Sequence, residues 1–174
     1  FTATPLTRLQ CVGFPVAPST MIFNVTTPFS LFGLRSGAGL LVEADQYGFS
    51  NDINLSLSYS YLFPIGTGNL GAGFSLGMLN KTLAPEWFIP SGTTHTPPSG
   101  DPLIPENDES FIALDLSAGV YYEGLNYYAG ISVTHINQPK IKYSETATYV
   151  SRQYYLTAGY YFQLPNPAFE LIPS

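Results

Sequence analysis

The fold of this chain is decided by the stretch INLSLSYSYLF, residues 53–63, in which apolar and small polar side chains alternate. Successive side chains of a strand point to opposite sides of a sheet, so one side receives Ile, Leu, Tyr and Phe and the other mainly Asn and Ser. Residues 70–78 and 112–122 repeat the pattern, again without a charge on the apolar side. Because Ser, Gly and Asn suit an enclosed, partly wet interior, we predict that the apolar side faces lipid.

Length and composition favour a membrane protein of a single domain, residues 1–174. Only 10% of the residues are charged, against about 25% in a typical soluble domain. No run approaches the roughly 20 apolar residues of a transmembrane helix, and 15 Pro and 16 Gly would interrupt any long helix. Lipid offers no partner to an unpaired sheet edge, so the chain is predicted to form an antiparallel, up-and-down transmembrane β-barrel.

The charge and the ends of the chain give two further expectations. A net charge of -6 argues against a nucleic-acid partner, because nucleic-acid binders present basic patches. The chain has no initiator Met and no signal peptide, and it opens inside a predicted strand. We therefore expect a fragment of a larger barrel, truncated at both ends.

The alternation predicts eight strands and the start of a ninth near Ala168, which is an incomplete barrel of about eight to nine strands. Most have about ten residues, the length that crosses a bilayer when tilted. The predicted strands are residues 3–11, 20–29, 34–45, 51–63, 69–80, 110–122, 125–136 and 151–163.

The connections alternate in length, as in outer-membrane barrels with short periplasmic turns and longer extracellular loops. The long ones are 12–19, 81–109 and 137–150, while the connection after residue 45 is a short exception. Aromatic side chains cluster near the short turns and predict an interfacial girdle that contacts outer-membrane lipid. The girdle consists of Phe29, Tyr59, Tyr61, Phe63, Tyr122, Tyr127, Tyr160 and Phe162.

The sequence predicts no catalytic residues, no cofactor and no metal site. His95 and His135 have no nucleophile at a recognisable spacing, and the acidic segment 101–109 lacks the spacing of a calcium loop.

Three carboxylates are expected inside the barrel, because Glu43, Asp45 and Asp115 alternate onto the polar side. They would either tune ion selectivity in an open pore or pair with cations from a plug or from further strands, and both alternatives remain open.

Several short motifs resemble one known family. Residues 7–19, TRLQCVGFPVAPS, are similar to the R-x-Q-W-V-G-F-x-G-A-P-x-T of the PorP/SprF family, and MIFNVTTP follows at 21–28. GAGL at 37–40, DINLSLSYSY at 52–61 and RQYYLTAGY at 152–160 also resemble family segments. Cys11 stands where the family usually has Trp, and Val16 where it usually has Gly.

The resemblance implies a non-enzymatic outer-membrane protein of the type IX secretion system of Bacteroidetes. It implies work with the secretion machinery and the holding of secreted adhesins, such as gliding filaments, at the cell surface. A partner-binding loop is predicted at Trp87, Phe88 and Ile89, between two prolines. Alternatively, Trp87 folds over the barrel mouth or dips into the outer leaflet.

Two other functions remain as alternatives. One is a porin-like channel for small solutes, in which the Ser and Gly side lines water. The other is a soluble β-sandwich adhesin, which would have to expose an uncharged surface to water.

Overall fold

The computed structural model describes residues 1–14, 16–84, 108–143, 146–163 and 170–171, and all regular structure in these ranges is strand. No helix in them could serve as a membrane span. The strands are β1 (Thr2–Leu9), β2 (Ser19–Leu31), β3 (Leu34–Tyr47), β4 (Ser50–Ile65), β5 (Gly68–Leu83), β6 (Glu109–Glu123), β7 (Tyr127–Thr134), β8 (Lys140–Tyr143), β9 (Thr146–Tyr149), β10 (Gln153–Tyr160), β11 (Phe162–Gln163) and β12 (Glu170–Leu171).

Eight of these strands form one antiparallel sheet in the order β1-β2-β3-β4-β5-β6-β7-β10. Seven are consecutive in the chain, and only the β8–β9 hairpin separates β7 from β10. The predicted all-β, antiparallel, up-and-down architecture is therefore confirmed. Within the described residues β1 and β10 each have one neighbour, so the sheet is an open half-barrel. The short β12 begins close to the expected ninth strand and pairs with β11.

The two faces of the sheet follow directly from the register. Leu57 lies opposite Leu40 on one side and Leu76 on the other, so the apolar positions of three strands share a face. Ser58 lies opposite Gly39 and Ser75 on the other face. This second face is concave, because it contributes the polar lining of two cavities of about 520 and 810 Å³. We refer to the Leu57 side as the convex face and to the Ser58 side as the concave face.

The turns at one end are short and those at the other end are mixed. Residues 32–33, 66–67 and 124–126 connect strands at the short-turn end, while the connections that follow β1, β5 and β7 leave the sheet at the long-loop end. The connection 48–49 at the long-loop end has two residues, where the sequence suggested about five. In the first long connection Cys11 and Val16 both have φ of 52°, a left-handed conformation that is strained for a β-branched residue such as Val16.

The half of the sheet around β7 differs from the sequence prediction. β7 ends at Thr134, and His135 leaves the ladder with a φ of 55°. Ile136 still donates its N–H to the Leu116 carbonyl at 2.9 Å. The Asn137 side chain then accepts from the Leu116 N–H at 3.1 Å and donates to the Leu114 carbonyl at 2.6 Å. The connection predicted at 137–150 therefore begins as a side-chain continuation of the ladder, and it goes on to form the β8–β9 hairpin.

A conventional hydrophobic core is missing from the part of the chain that the structure describes. Its buried apolar side chains are Leu79, 7% exposed, and Ile141, 5% exposed. Leu57 and Leu114, in the middle of long strands, are 58% and 65% exposed. In water such a sheet would gain little of the free energy that apolar burial supplies to a soluble domain.

Candidate functional site

The convex face is a continuous apolar surface across the width of the sheet. Its members come from all the long strands, and most lie opposite an apolar or small residue of the neighbouring strand, except that Ile53 and Ile112 both lie opposite Asn80. Those with a large exposed side chain include Met21, Phe23, Ile53, Leu55, Leu57, Phe74, Leu76, Met78, Ile112, Leu114, Leu116, Val120, Ile131 and Leu156. An exposed apolar area of this extent marks a membrane or protein contact rather than a water-exposed surface.

The residues predicted as an aromatic girdle lie at the short-turn end of this convex face. Several of them contact one another, with ring centroids 6.1 Å apart for Phe29 and Tyr59 and 4.6 Å apart for Tyr61 and Phe63. Tyr122 and Tyr127 are 5.6 Å apart, and Tyr160 and Phe162 are 4.6 Å apart. Phe29–Tyr59 connects β2 with β4 and Tyr122–Tyr127 connects β6 with β7, while the other two contacts join residues two apart in the chain. The interfacial position of the girdle stays a prediction.

Polar side chains close the convex face at the long-loop end. Thr82 donates to the Ser110 hydroxyl at 3.2 Å, and Ser110 donates to the Asn80 side-chain oxygen at 3.0 Å. The apolar surface thus has an aromatic border at one end and a hydrogen-bonded polar border at the other.

The concave face is built from small residues. Glycine, serine and threonine supply 11 of the 23 residues that line the 520 Å³ cavity, and Tyr121, Glu123 and Tyr155 add the larger polar groups. A Cβ added to Gly130 would come within 2.8 Å of the Tyr121 ring. A Cβ on Gly159 would come within 2.3 Å of the Tyr128 ring. Glycine is needed at these two positions because a tyrosine ring lies across the backbone.

The sequence analysis missed these concave tyrosines. Tyr121 and Tyr128 are stacked with centroids 5.8 Å apart, and Tyr128 contacts Tyr161 at 5.6 Å. They lie on three successive strands or strand ends, so only the register brings them together. The sequence did contain one signal for these tyrosines, because alternation within each strand assigns them to the polar side.

The three carboxylates predicted for the lumen all lie on the concave face, each with a partner from the sheet or its loops. Asp45 accepts from the Thr20 hydroxyl, and Glu43 accepts from the Asn54 amide at 3.2 Å. The buried Asp115 is 2.9 Å from Nδ1 of His135. The contact with Asp115 brings His135 onto the concave face.

A fourth concave carboxylate was overlooked in the sequence. Asp52 is buried and forms an ion pair with Lys81 on the neighbouring strand. It also accepts from Tyr47 at 3.2 Å and from Ser50 at 3.1 Å. The long loop was predicted to begin at Lys81, but β5 continues to Leu83. Lys81 is therefore a strand residue, and its ammonium group lies on the concave face.

The predicted partner-binding residues Trp87, Phe88 and Ile89 lie outside the described residues, as does His95. Between β5 and β6 the structure describes two residues, Ala84 and Asp108, and Asp108 is exposed. Across the described ranges, no group of three or more His, Cys, Asp or Glu side chains could hold a metal ion.

Comparison with known proteins gives the family. The model of the family described as type IX secretion system membrane protein PorP/SprF matches residues 2–174. The chain belongs to the PorP/SprF family. It is therefore a membrane component of the type IX secretion system, as the motifs at 7–19 and 152–160 indicated. No curated protein and no solved structure gives a significant match.

Membership in the PorP/SprF family accounts for the two faces of the sheet. A membrane protein needs an apolar surface toward lipid, and the convex face has the exposed apolar side chains that such a surface requires. The concave face then carries the polar and charged contacts that a soluble protein would place on its outside.

Proposed function

We propose that this PorP/SprF protein is an outer-membrane β-barrel component of the type IX secretion system that anchors secreted adhesins at the cell surface. The observation that carries the proposal is the exposed convex face, combined with only two buried apolar side chains in the described residues. A sheet of this kind is stable where hydrocarbon covers its apolar side.

The height of the apolar surface supports an outer-membrane location. From Ile53 to Phe63 a strand advances about 33 Å at roughly 3.3 Å per residue. At the tilt of about 40° that is usual in outer-membrane barrels, this corresponds to roughly 25 Å, the height of their apolar band. The aromatic contacts around Tyr61 and the polar contacts around Ser110 lie at its two borders.

The concave face supports an anchor more than an enzyme. Asp45, Asp52 and Asp115 are engaged by side chains of the sheet itself, and the tyrosine stack braces the strands near the short turns. Such contacts make the sheet more rigid. Adhesin binding is assigned to the long-loop end, where the residues Trp87, Phe88 and Ile89 remain our predicted contact.

A gene deletion in the native bacterium tests the proposal. We expect loss of the adhesin from the cell surface, its release into the medium, and rescue by the full-length wild-type protein found in the outer-membrane fraction. Full surface display of the adhesin in the deletion strain would contradict the anchoring role. Recovery of the wild-type protein in the aqueous fraction without detergent would contradict the membrane location.

A porin-like channel is the second candidate, and the concave cavities favour it. Ser, Thr and Gly supply about half of the residues that line them, and small residues of this kind are compatible with a water-filled lumen. Planar bilayers containing the purified full-length protein separate the two functions. Steady currents would support the channel, whereas an inserted but silent protein would support the anchor.

A further inference from the structure

The positive charges of this acidic protein are concentrated in one hairpin. The chain has six Lys and Arg residues and a net charge of -6. Lys140, Lys142 and Arg152 lie within 13 residues, 140–152, where Glu145 is the one acidic residue. Half of the basic side chains are therefore at or beside β8 and β9.

The hairpin presents its two lysines on one outward face. Lys140 and Lys142 are two residues apart on β8, so they point to the same side, and both are exposed. Ile141 between them points the other way, and β8 packs against β6. The burial of Ile141 fixes the hairpin with its ammonium groups turned away from the sheet.

An aromatic ring completes this face. Tyr149 lies opposite Lys140 in the β8–β9 register and is more than half exposed. The Lys140 ammonium is 5.3 Å from the centre of the Tyr149 ring. A Tyr ring beside ammonium groups on flexible stems is typical of side chains at the level of lipid headgroups.

Arg152 adds a third positive group at the base of the hairpin. Its Nε donates to the Ile136 carbonyl at 2.8 Å, which holds the guanidinium next to the point where the chain leaves the sheet. Among the described residues, the ion pairs are Asp52 with Lys81 and Asp115 with His135, both on the concave face. The hairpin cations have no carboxylate partner in those ranges.

The position of the hairpin along the sheet selects a lipid phosphate as its ligand. Ile136 is still bonded to Leu116, so the hairpin leaves the sheet beside the exposed apolar side chains of Ile112 and Leu114. Ammonium and guanidinium groups at the border of an apolar surface face the headgroup layer, where phosphates bind them.

We propose that the face formed by Lys140, Lys142, Tyr149 and Arg152 binds the phosphate groups of glycolipid in the outer leaflet. The inference rests on the proposed function, which places the long-loop end outside the cell. Outside residues 140–152 the chain has 11 acidic and three basic residues, so this face is the main cluster of positive charge that the headgroup phosphates can meet.

Binding to lipid A tests the proposal. The full-length protein in phosphatidylcholine nanodiscs is exposed to bisphosphorylated or to dephosphorylated lipid A, and bound lipid is counted by native mass spectrometry. Each Lys or Arg near an anionic membrane surface changes the binding constant about fivefold, so we expect the triple variant K140Q/K142Q/R152Q to bind the phosphorylated form roughly a hundredfold more weakly. Raised salt should weaken wild-type binding further.

Arg35→Gln is the matched control, because Arg35 is a basic residue beside the short turn 32–33 at the opposite end. It should bind phosphorylated lipid A like the wild type. Equal binding of both lipid A forms, or wild-type binding by the triple variant, would overturn the proposal, as would loss of binding in the control. A correctly inserted protein with no phosphate preference refutes this inference alone, whereas a protein that does not enter nanodiscs refutes the proposed function.

Discussion

Strands β3 to β6 and strands β7 and β10 belong to one sheet but differ about twofold in length. The former have 14 to 16 residues, and the latter have 8 each. In the long half every residue of β4 from Ser50 to Ile65 has a backbone partner on β5. In the short half the ladder between β6 and β7 stops at Ala118 and Val133.

The two halves of the sheet hold their strands together by different contacts. The long half depends on backbone pairing and on an apolar face that needs no partner from the protein. The short half replaces missing pairs with the Asn137 side chain, the Asp115–His135 contact and a hairpin laid against β6. Side-chain substitutions should therefore act differently in the two halves.

The largest effect is expected at the centre of the long half. Leu57→Lys places a charge on the convex face and should lower the free energy of unfolding in lipid vesicles by about 2–4 kcal/mol. Ser58→Lys, the next residue, points into the concave face and should cost less than about 1 kcal/mol, because water reaches it. Urea unfolding of the full-length protein measures both. Equal losses would contradict the assignment of the two faces.

In the short half, Asn137 should matter more than an exposed polar residue elsewhere. Asn137→Ala removes two hydrogen bonds to the β6 backbone and should destabilise by about 2 kcal/mol. The matched variant Gln46→Ala, an exposed residue of β3, should stay within about 0.5 kcal/mol of the wild type. Hydrogen exchange gives a second measurement, since the Leu116 amide should lose protection. An unchanged Leu116 amide would show that Asn137 does not hold this edge.

Glycine substitutions compare the concave faces of the halves. Gly130→Ala brings a Cβ against Tyr121 and Thr157 and should cost about 1–2 kcal/mol. At Gly71, on β5, the nearest atom is the Tyr121 carbonyl oxygen at 3.6 Å, an ordinary contact. Gly71→Ala should therefore change the free energy of unfolding by less than about 0.5 kcal/mol. A smaller loss of stability for Gly130→Ala than for Gly71→Ala would mean that the Tyr121 ring moves aside freely.

The smallest effect concerns the ion pair of the long half. A double-mutant cycle with Asp52→Asn and Lys81→Met should give a coupling energy of about 1 kcal/mol, because Asp52 is buried while Lys81 is partly exposed. High salt should reduce this energy only slightly. A coupling energy of zero would show that backbone pairing alone fixes β4 against β5.

The regular half of the sheet was predictable from sequence because a period of two determines both strand and face. The eight main strands, their order and the concave positions of Glu43, Asp45 and Asp115 follow from that rule. Strand ends were less predictable, since Lys81 and Thr82 are held in β5 by pairing with β6, and nothing in the local sequence requires it.

The two strands of the short half were predicted, but their ends and their side-chain contacts were not, for a physical reason. His135 takes a left-handed conformation that a non-glycine residue adopts only when its surroundings compensate, here through Asp115 on another strand. The Tyr121, Tyr128 and Tyr161 contacts likewise join positions far apart in the chain. Such contacts depend on register, which alternation within a single strand does not give.

In the described ranges nothing packs against the convex face, and this also governs how the sequence can change over evolutionary time. Positions such as Leu76 and Leu114 have no neighbouring side chains with complementary shapes. Leu, Ile, Phe and Met can therefore replace one another there with little effect on stability. The restrictive positions are instead the smallest ones, such as Gly130 and Gly159, where one added methyl group meets a ring. In relatives, the sequence should therefore change quickly at the apolar positions of the convex face and slowly at the glycines of the concave face.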